Sequence, residues 1–171
     1  GRIRHDERLT DIGLHTGESV VAGELIGYVI KGVAGRSRPY VSDDTNPTDF
    51  KFGRGFRKGE DYSSFPSGHA IAAFAAASAL ASEGSHWWPH QTRYVTPLAY
   101  TGATMVALSR LYNNKHWTSD VVLSAAVGIF SGTKLVQYQH AHTRNRLDRL
   151  FLSASVVPTG DGRVAVAISP W

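Results

Sequence analysis

The stretch PSGHAIAAFAAASALA, residues 66–81, carries the strongest structural signal in this chain of 171 residues. Alanine, which dominates it, has the highest helix propensity, and Ser67 stands where an N-cap residue is expected. Gly68 follows this cap directly, and a glycine allows another molecule to approach the backbone closely. The sequence therefore predicts a helix over 68–81 whose first turn can lie against a ligand.

Three further helices are predicted before and after this stretch. Apolar residues recur at helical spacing over 18–33. A Thr-Pro pair is typical of a helix start and predicts a second helix over 96–111. A third is expected over 120–138, where Thr118 or Ser119 can provide the cap.

The end of the chain has a different pattern. Over 153–168, small and branched residues alternate on both sides of the turn-forming segment Pro158 to Gly162, which is typical of a β-hairpin. A chain of this length fits one domain, which can bury roughly 70% of its unfolded surface. We therefore expect a mainly α fold, with a single domain over 1–171 that is a helical bundle with a small C-terminal β-hairpin at 150–171.

Residues 40–64 lie between the first two predicted helices. They contain an Asn-Pro pair, several glycines, and charged residues mixed with phenylalanines. This composition predicts a long loop. Such loops are uncommon in compact domains and often serve as lids or binding loops, although a surface loop without such a role is the alternative.

The charge balance narrows the class of partner. Lys and Arg number 18 against 14 Asp and Glu, and the sequence pI is about 9.5, which favours anionic partners. The basic residues form no run of five or more, and no nucleic-acid-binding motif is present, so a nucleic-acid partner is not expected. The chain has no cysteine, which excludes disulfides and thiolate metal sites.

The longest uncharged runs bear on membrane insertion. Residues 94–109 and 121–133 carry no charge, but both runs are shorter than the roughly 20 residues that a bilayer span requires. They suit buried helices better, so membrane embedding is disfavoured. No signal peptide is visible, and a chain that begins at Gly1 is expected to be processed or trimmed.

Pro66-Ser67-Gly68-His69 combines a helix start with a titratable side chain. The unpaired N–H groups of a helix start favour an anion, so Ser67 and Gly68 form a candidate phosphate cradle beside the His69 imidazole. Taken alone, these four residues also fit an ordinary capped turn.

Two other groups of residues suit the same chemistry. Lys31 and Arg38 are seven residues apart and can converge whether or not a helix continues between them. Arg110 is suited to bidentate phosphate binding. His116 and Asp120 are one helical turn apart, so the carboxylate can accept Nδ1–H and leave Nε2 as nucleophile or base. Taken alone, Lys31 and Arg38 also fit a solvated surface. The His116 and Asp120 pair, taken alone, also fits an incidental pair on a helix surface.

Together, the three groups resemble the three-part signature of the type 2 phosphatidic acid phosphatase (PAP2) and vanadium haloperoxidase superfamily. The segments are Lys31-(six residues)-Arg38-Pro39, Pro66-Ser67-Gly68-His69, and Ser109-Arg110-(five residues)-His116-(three residues)-Asp120. Every position of the signature matches in type and spacing, over about half of the chain. The resemblance implies a helical bundle whose site lies at the ends of the core helices.

The resemblance also implies a role for each residue. His116 is the nucleophile, Asp120 is its orienting partner, and His69 is the general acid. The phosphate oxygens are held by Lys31, Arg38, Arg110, Ser67 and Gly68. Three fixed cations can supply the charge that Mg²⁺ supplies in other phosphoryl transfers, so no metal and no other cofactor is expected, although vanadate can bind as a phosphate mimic. Two imidazoles with separated pKa values predict a bell-shaped pH–rate profile.

The function implied by the resemblance is a metal-independent phosphatase that hydrolyses a phosphomonoester, lipid-linked or soluble, or a pyrophosphate, through a phosphohistidine. A vanadate-dependent haloperoxidase is an alternative that the signature cannot separate, although those relatives are usually much longer. A non-catalytic anion-binding module is a third interpretation. The resemblance further implies a periplasmic or other extracytoplasmic protein, soluble or peripheral to a membrane, and leaves the oligomeric state open.

Overall fold

The structure, a computed structural model, describes residues 7–41, 46–142, 154–158 and 164–168. The helices are α1 (Glu7–Ala34), α2 (Arg54–Arg57), α3 (Gly68–Trp87), α4 (Pro89–Tyr112) and α5 (Thr118–Ala141), with a single 3₁₀ turn at Glu60–Tyr62. The mainly helical architecture predicted from the sequence is confirmed. The chain contains two compact units, 1–137 and 138–171, and the four long helices lie wholly or largely in the first.

Helix α3 is the core of the first unit. Its buried side chains are mostly small, and they include Ala70, Ala75 and Ala79. Small side chains let neighbouring backbones come close. A Cβ on Gly128 of α5 would lie only 2.6 Å from the Ile71 carbonyl oxygen, so α5 packs directly against the α3 backbone. This contact joins the middle of α5 to the first turns of α3.

The first helix begins 11 residues earlier than predicted, at Glu7 instead of position 18. Its additional turns are stabilised by tertiary contacts. His15, which is buried, bonds through Nδ1 to Glu83 Oε1 of α3 at 2.5 Å. A pairing across 68 residues leaves no trace in local helix propensity, which explains the difference.

The predicted start of α4 at Thr96-Pro97 is wrong. The helix begins at Pro89, and Pro97 lies inside it. Pro89 occupies the first helical turn, where the missing N–H costs nothing, so the same start signal occurs eight residues earlier. The interior Pro97 gives up one backbone hydrogen bond, and the helix continues through it.

The start of α5 also differs from the prediction. The helix begins at Thr118, so neither Thr118 nor Ser119 precedes it as a cap. The capping contact comes from Asp120 instead, because its Oδ2 accepts the Trp117 N–H at 2.8 Å while its own N–H donates to the Trp117 carbonyl at 3.0 Å. An acidic residue in the first turn is also favoured by the helix dipole.

The predicted loop over 40–64 is anchored within its described part. It contains α2 and the 3₁₀ turn. Arg54 is buried and donates from Nε to the Gly35 carbonyl at 2.8 Å and from Nη2 to Asp49 Oδ2 at 2.9 Å. These bonds fasten the loop to the end of α1, where Lys31 lies. Positions 42–45 lie outside the described residues.

The second unit contains two strands, β1 (Ala154–Pro158) and β2 (Val164–Ile168). They pair antiparallel, with Ala154 opposite Ile168 and Pro158 opposite Val164. The segment 159–163, where the turn is predicted, lies outside the described residues, so the hairpin stays a prediction.

Among the described helices, α5 alone has the length and apolar composition to cross a membrane. In its most apolar window, 39% of the residues are buried inside the protein. A core helix of a soluble protein passes the same test, so this single helix is weak support for a membrane span.

Candidate active site

A cleft of about 380 Å³ lies at the N-terminal end of α3. Its lining consists of Glu24, Lys31, Arg38, Glu60, Gly68, His69, Ala72, Arg110 and His116. Six of the eight predicted site residues therefore meet in one cavity. The other two, Ser67 and Asp120, are fully buried.

The cleft side chains come from different elements, which the fold brings to one end of the core. Lys31 is in the last turn of α1 and Arg110 is in the last turn of α4. His69 is the second residue of α3. Arg38 follows α1 in an irregular segment, where its Nε donates to the Glu60 carbonyl at 2.8 Å. The cations therefore surround the start of α3, whose first N–H groups have no acceptor within the helix.

His116 is held in one orientation by a backbone carbonyl. Its Nδ1 lies 2.7 Å from the Ser64 carbonyl oxygen, and its side chain is buried. A carbonyl can only accept, so Nδ1 carries the proton and Nε2 presents a lone pair. This is the tautomer that a nucleophilic imidazole needs.

The sequence analysis expects Asp120 to accept the Nδ1 proton of His116. In the structure, Asp120 is not that acceptor. Its Oδ2 lies 3.6 Å from His116 Nδ1. The reason is that both carboxylate oxygens are engaged elsewhere. Oδ1 accepts from Arg36, and Oδ2 accepts from the Ser64 hydroxyl at 2.5 Å. Asp120 therefore positions Ser64, whose carbonyl in turn orients His116.

Arg36 is a site residue that the sequence analysis missed. It is 3% exposed, pairs with Asp120, donates to Ser119 Oγ at 2.7 Å, and lies with its guanidinium carbon 4.8 Å from the centre of the Phe50 ring. Its partner Asp120 lies 84 residues away, so no local pattern in the sequence signals this contact.

Ser67 occupies the N-cap position of α3, as predicted, with an extended backbone conformation. Its N–H donates to Ser124 Oγ at 2.7 Å. Its own hydroxyl makes no capping bond and has no hydrogen-bond partner among the described residues, although it is fully buried. A buried hydroxyl without a partner costs stability, which is consistent with a group kept for a ligand.

The charges in the cleft shift two pKa values. Burial lowers the pKa of Lys31, with Glu24 opposing the shift and Arg38 adding to it. Burial also lowers the pKa of His69, and the positive charge of Arg110 lowers it further. Both effects favour the neutral form of His69. Glu24 and Glu60 also line the cleft, and the sequence analysis predicted neither as a site residue.

The comparisons with known proteins agree with this geometry. The model of the PAP2 superfamily matches residues 13–144, which contain every residue of the cleft. The chain belongs to the PAP2 superfamily, and the resemblance stated above is confirmed.

A curated relative adds detail to the family assignment. The chain is 38% identical over 87 residues to a lipid A 1-phosphatase from Porphyromonas gingivalis, a match that covers 51% of this chain and 19% of that protein. The chain thus spans about a fifth of the length of this relative. No solved structure matches the chain.

Proposed function

We propose that the chain hydrolyses a phosphate monoester in this cleft through a phosphohistidine at His116. The observation that carries the proposal is the orientation of His116. Its Nδ1 is bonded to a carbonyl, and the residue lines a cleft with three cations and a second histidine. Such a site can provide the nucleophile, the acid and the charge stabilisation that phosphoryl transfer requires.

The first step transfers the phosphoryl group to the protein. Lys31, Arg38 and Arg110, together with the first N–H groups of α3, bind the non-bridging oxygens. His116 Nε2 attacks phosphorus, so that an N–P bond forms while the bond to the ester oxygen breaks. His69, in its protonated form, gives its proton to that oxygen, and the alcohol leaves.

The second step regenerates the enzyme. The now neutral His69 takes a proton from a water molecule, whose oxygen attacks phosphorus while the N–P bond breaks. Inorganic phosphate leaves, and His116 regains its Nε2 lone pair. The positive charge that the His116 ring carries in the intermediate is stabilised by the Asp120 carboxylate 3.6 Å away and by the Ser64 carbonyl.

We propose that the reaction needs no metal ion, because Lys31, Arg38 and Arg110 line the cleft and can supply the charge that a metal supplies in other phosphoryl transfers. A chelator should therefore leave the rate unchanged. Vanadate should inhibit, because it can accept the Nε2 lone pair as phosphorus does. Bromination of an indicator dye with vanadate, bromide and peroxide would instead favour haloperoxidase chemistry.

A lipid-linked phosphate is the substrate source that we propose, at an extracytoplasmic and membrane-peripheral location. The name of the relative, lipid A 1-phosphatase, supports a lipid-linked substrate. So does the apolar surface of α1 near Lys31, where Leu25, Tyr28 and Val29 are 63%, 65% and 57% exposed. Co-sedimentation with lipid vesicles tests the location, and failure to bind any vesicle would contradict it.

Phosphate release from p-nitrophenyl phosphate is the direct test of the activity. The wild-type chain should release phosphate, and His116→Ala should not. Arg93→Ala is a suitable control, because Arg93 contacts the Tyr94 ring on α4 and is not among the residues that line the cleft. Equal rates in the wild type and His116→Ala would contradict the proposed nucleophile.

A further inference from the structure

Glu24 places a carboxylate in a cleft that otherwise gathers cations. It lies seven residues before Lys31 on α1, close to two helical turns, so both side chains project from one face. Its carboxylate oxygens lie 3.0 and 3.2 Å from the position that a Cβ on Gly68 would take, and Lys31 Nζ lies 3.0 Å from the same position. The phosphate cradle therefore has an anion and a cation at its edge.

The Glu24 carboxylate is available to a ligand. Within the part of the chain that the structure describes, neither it nor the Lys31 ammonium makes a hydrogen bond, and the two are not joined by an ion pair within 4.0 Å. The side chain is half-buried, so it cannot swing freely into solvent. An ionised carboxylate offers acceptors only, so its partner must be a donor.

A carboxylate at this place also opposes the binding of phosphate, because like charges repel most strongly where water is partly excluded. Glu60, which lines the same cleft, adds a second negative charge. The repulsion is relieved when the substrate itself brings a donor between its phosphate and the carboxylate. A hydrogen bond to a charged acceptor is then stronger than one between neutral groups.

We propose that Glu24 selects the leaving group by accepting a hydrogen bond from a hydroxyl or ammonium group close to the ester oxygen. The inference rests on the function proposed above and specifies its substrate class. Phosphate monoesters of hydroxylated or amino alcohols are preferred, and esters of plain alcohols or phenols are poorer substrates. Glu24 is thus a specificity residue, while the transferred phosphoryl group is held by the cations.

Three small esters test this inference, because 2-hydroxyethyl, 2-aminoethyl and ethyl phosphate differ only in the donor. The quantity to measure is kcat/KM for each donor-bearing ester divided by kcat/KM for ethyl phosphate. Glu24→Ala should lower both ratios about 10- to 100-fold, as expected for loss of a hydrogen bond to a charged group. It should leave the hydrolysis of ethyl phosphate equal or faster, because the repulsive charge is gone.

Two further variants sharpen the test. Glu24→Gln keeps an acceptor oxygen but loses the charge, so the 2-aminoethyl ratio should fall further than the 2-hydroxyethyl ratio. Glu60→Gln removes the same charge from an exposed side chain of the cleft and should leave both ratios unchanged. The ratios do not depend on the fraction of enzyme that is folded. If the Glu24→Ala variant does not fold, Glu24→Gln takes its place in the test.

An equal loss on all three esters in Glu24→Ala would overturn the inference, because it would mean that Glu24 maintains the charge of Lys31. A wild-type enzyme without preference among the esters would overturn it as well. Failure of the proposed function gives another result: the wild type would release no phosphate from these esters or from p-nitrophenyl phosphate.

Discussion

A buried histidine lies beside a buried carboxylate near each end of α3, and the two pairs are built differently. Towards its C-terminal end, His15 Nδ1 bonds directly to Glu83 Oε1 at 2.5 Å. At its N-terminal end, Asp120 Oδ2 stays 3.6 Å from His116 Nδ1, which bonds to a backbone carbonyl instead. The residue types are almost the same, but the acceptor of the Nδ1 proton is charged in one pair and neutral in the other.

The difference determines what each histidine can do. Burial alone would lower the pKa of His15, but the hydrogen bond and the charge of Glu83 outweigh burial and raise it. The pairing with Glu83 thus favours the protonated form of His15, which has no lone pair to give. The charge of Asp120 is instead shared with Arg36, and His116 Nδ1 bonds to a neutral carbonyl, so no anion bonds directly to the His116 ring. A buried histidine beside a carboxylate is therefore not by itself a catalytic pair.

Replacement of each histidine in turn should give the largest contrast. We expect His116→Ala to lower kcat for p-nitrophenyl phosphate on the order of 10⁴-fold or more, because the nucleophile is lost. His15→Ala should change kcat less than about tenfold and mainly lower the thermal midpoint, because it removes one partner of a buried ion pair. Comparable losses of kcat in both variants would break the distinction.

Replacement of the two carboxylates should give a smaller effect. In Asp120→Asn, kcat should fall about 10- to 100-fold, because Asp120 positions Ser64, whose carbonyl orients His116. The variant should also lose about 3 kcal/mol of stability, because Arg36 remains buried without a counter-charge. Glu83→Gln should be destabilised while keeping its kcat. Phosphate release and urea unfolding measure both quantities.

The pH dependence of the rate should be a moderate effect. The pKa of His69 lies below its usual value of about 6.5, because of burial first and of Arg110 second. The protonated acid is present below that pKa and is lost as the pH rises through it. The basic limb of the kcat/KM profile should therefore fall below pH 6.5 or so. A basic limb above pH 8 would contradict the assignment of His69 as the acid.

The pH dependence of stability should be the smallest effect. The folded-state pKa of His15 is raised above the unfolded value, so its pairing with Glu83 contributes fully below about pH 6.5. The contribution is lost as the pH rises through the raised pKa. The difference in thermal midpoint between the wild type and Glu83→Gln should therefore be larger at pH 6 than at pH 10. A difference that grows with pH would contradict the ion pair.

The sequence predicted the helices with strong local signals and missed what depends on contacts between them. The alanine-rich run that becomes α3 was found with its first residue, because propensity and the Ser67 cap agree there. The first 11 residues of α1 were missed, since they depend on His15 reaching Glu83. Pro97 misplaced the start of α4, because a proline marks a helix start and a tolerated interior position equally well.

Prediction of the site from the sequence has the same limit, since it also depends on contacts between distant residues. The spacing of the motifs identified the residues that line the cleft, because each motif is local in sequence. The sequence does not predict the hydrogen bonds that hold these residues, because the partners are far apart in the chain. Ser64 is 52 residues from His116, and Arg36 is 84 residues from Asp120. Glu24 was missed for another reason, since a single acid in an apolar stretch carries no signal until the cleft is known.

The stereochemical course at phosphorus tests the central claim most directly. An ester made chiral at phosphorus with sulfur and oxygen isotopes is hydrolysed in isotopically labelled water, and the configuration of the released thiophosphate is determined. Transfer to His116 followed by transfer to water comprises two inversions, so the account predicts overall retention. Overall inversion would mean direct attack by water, and would contradict the phosphohistidine.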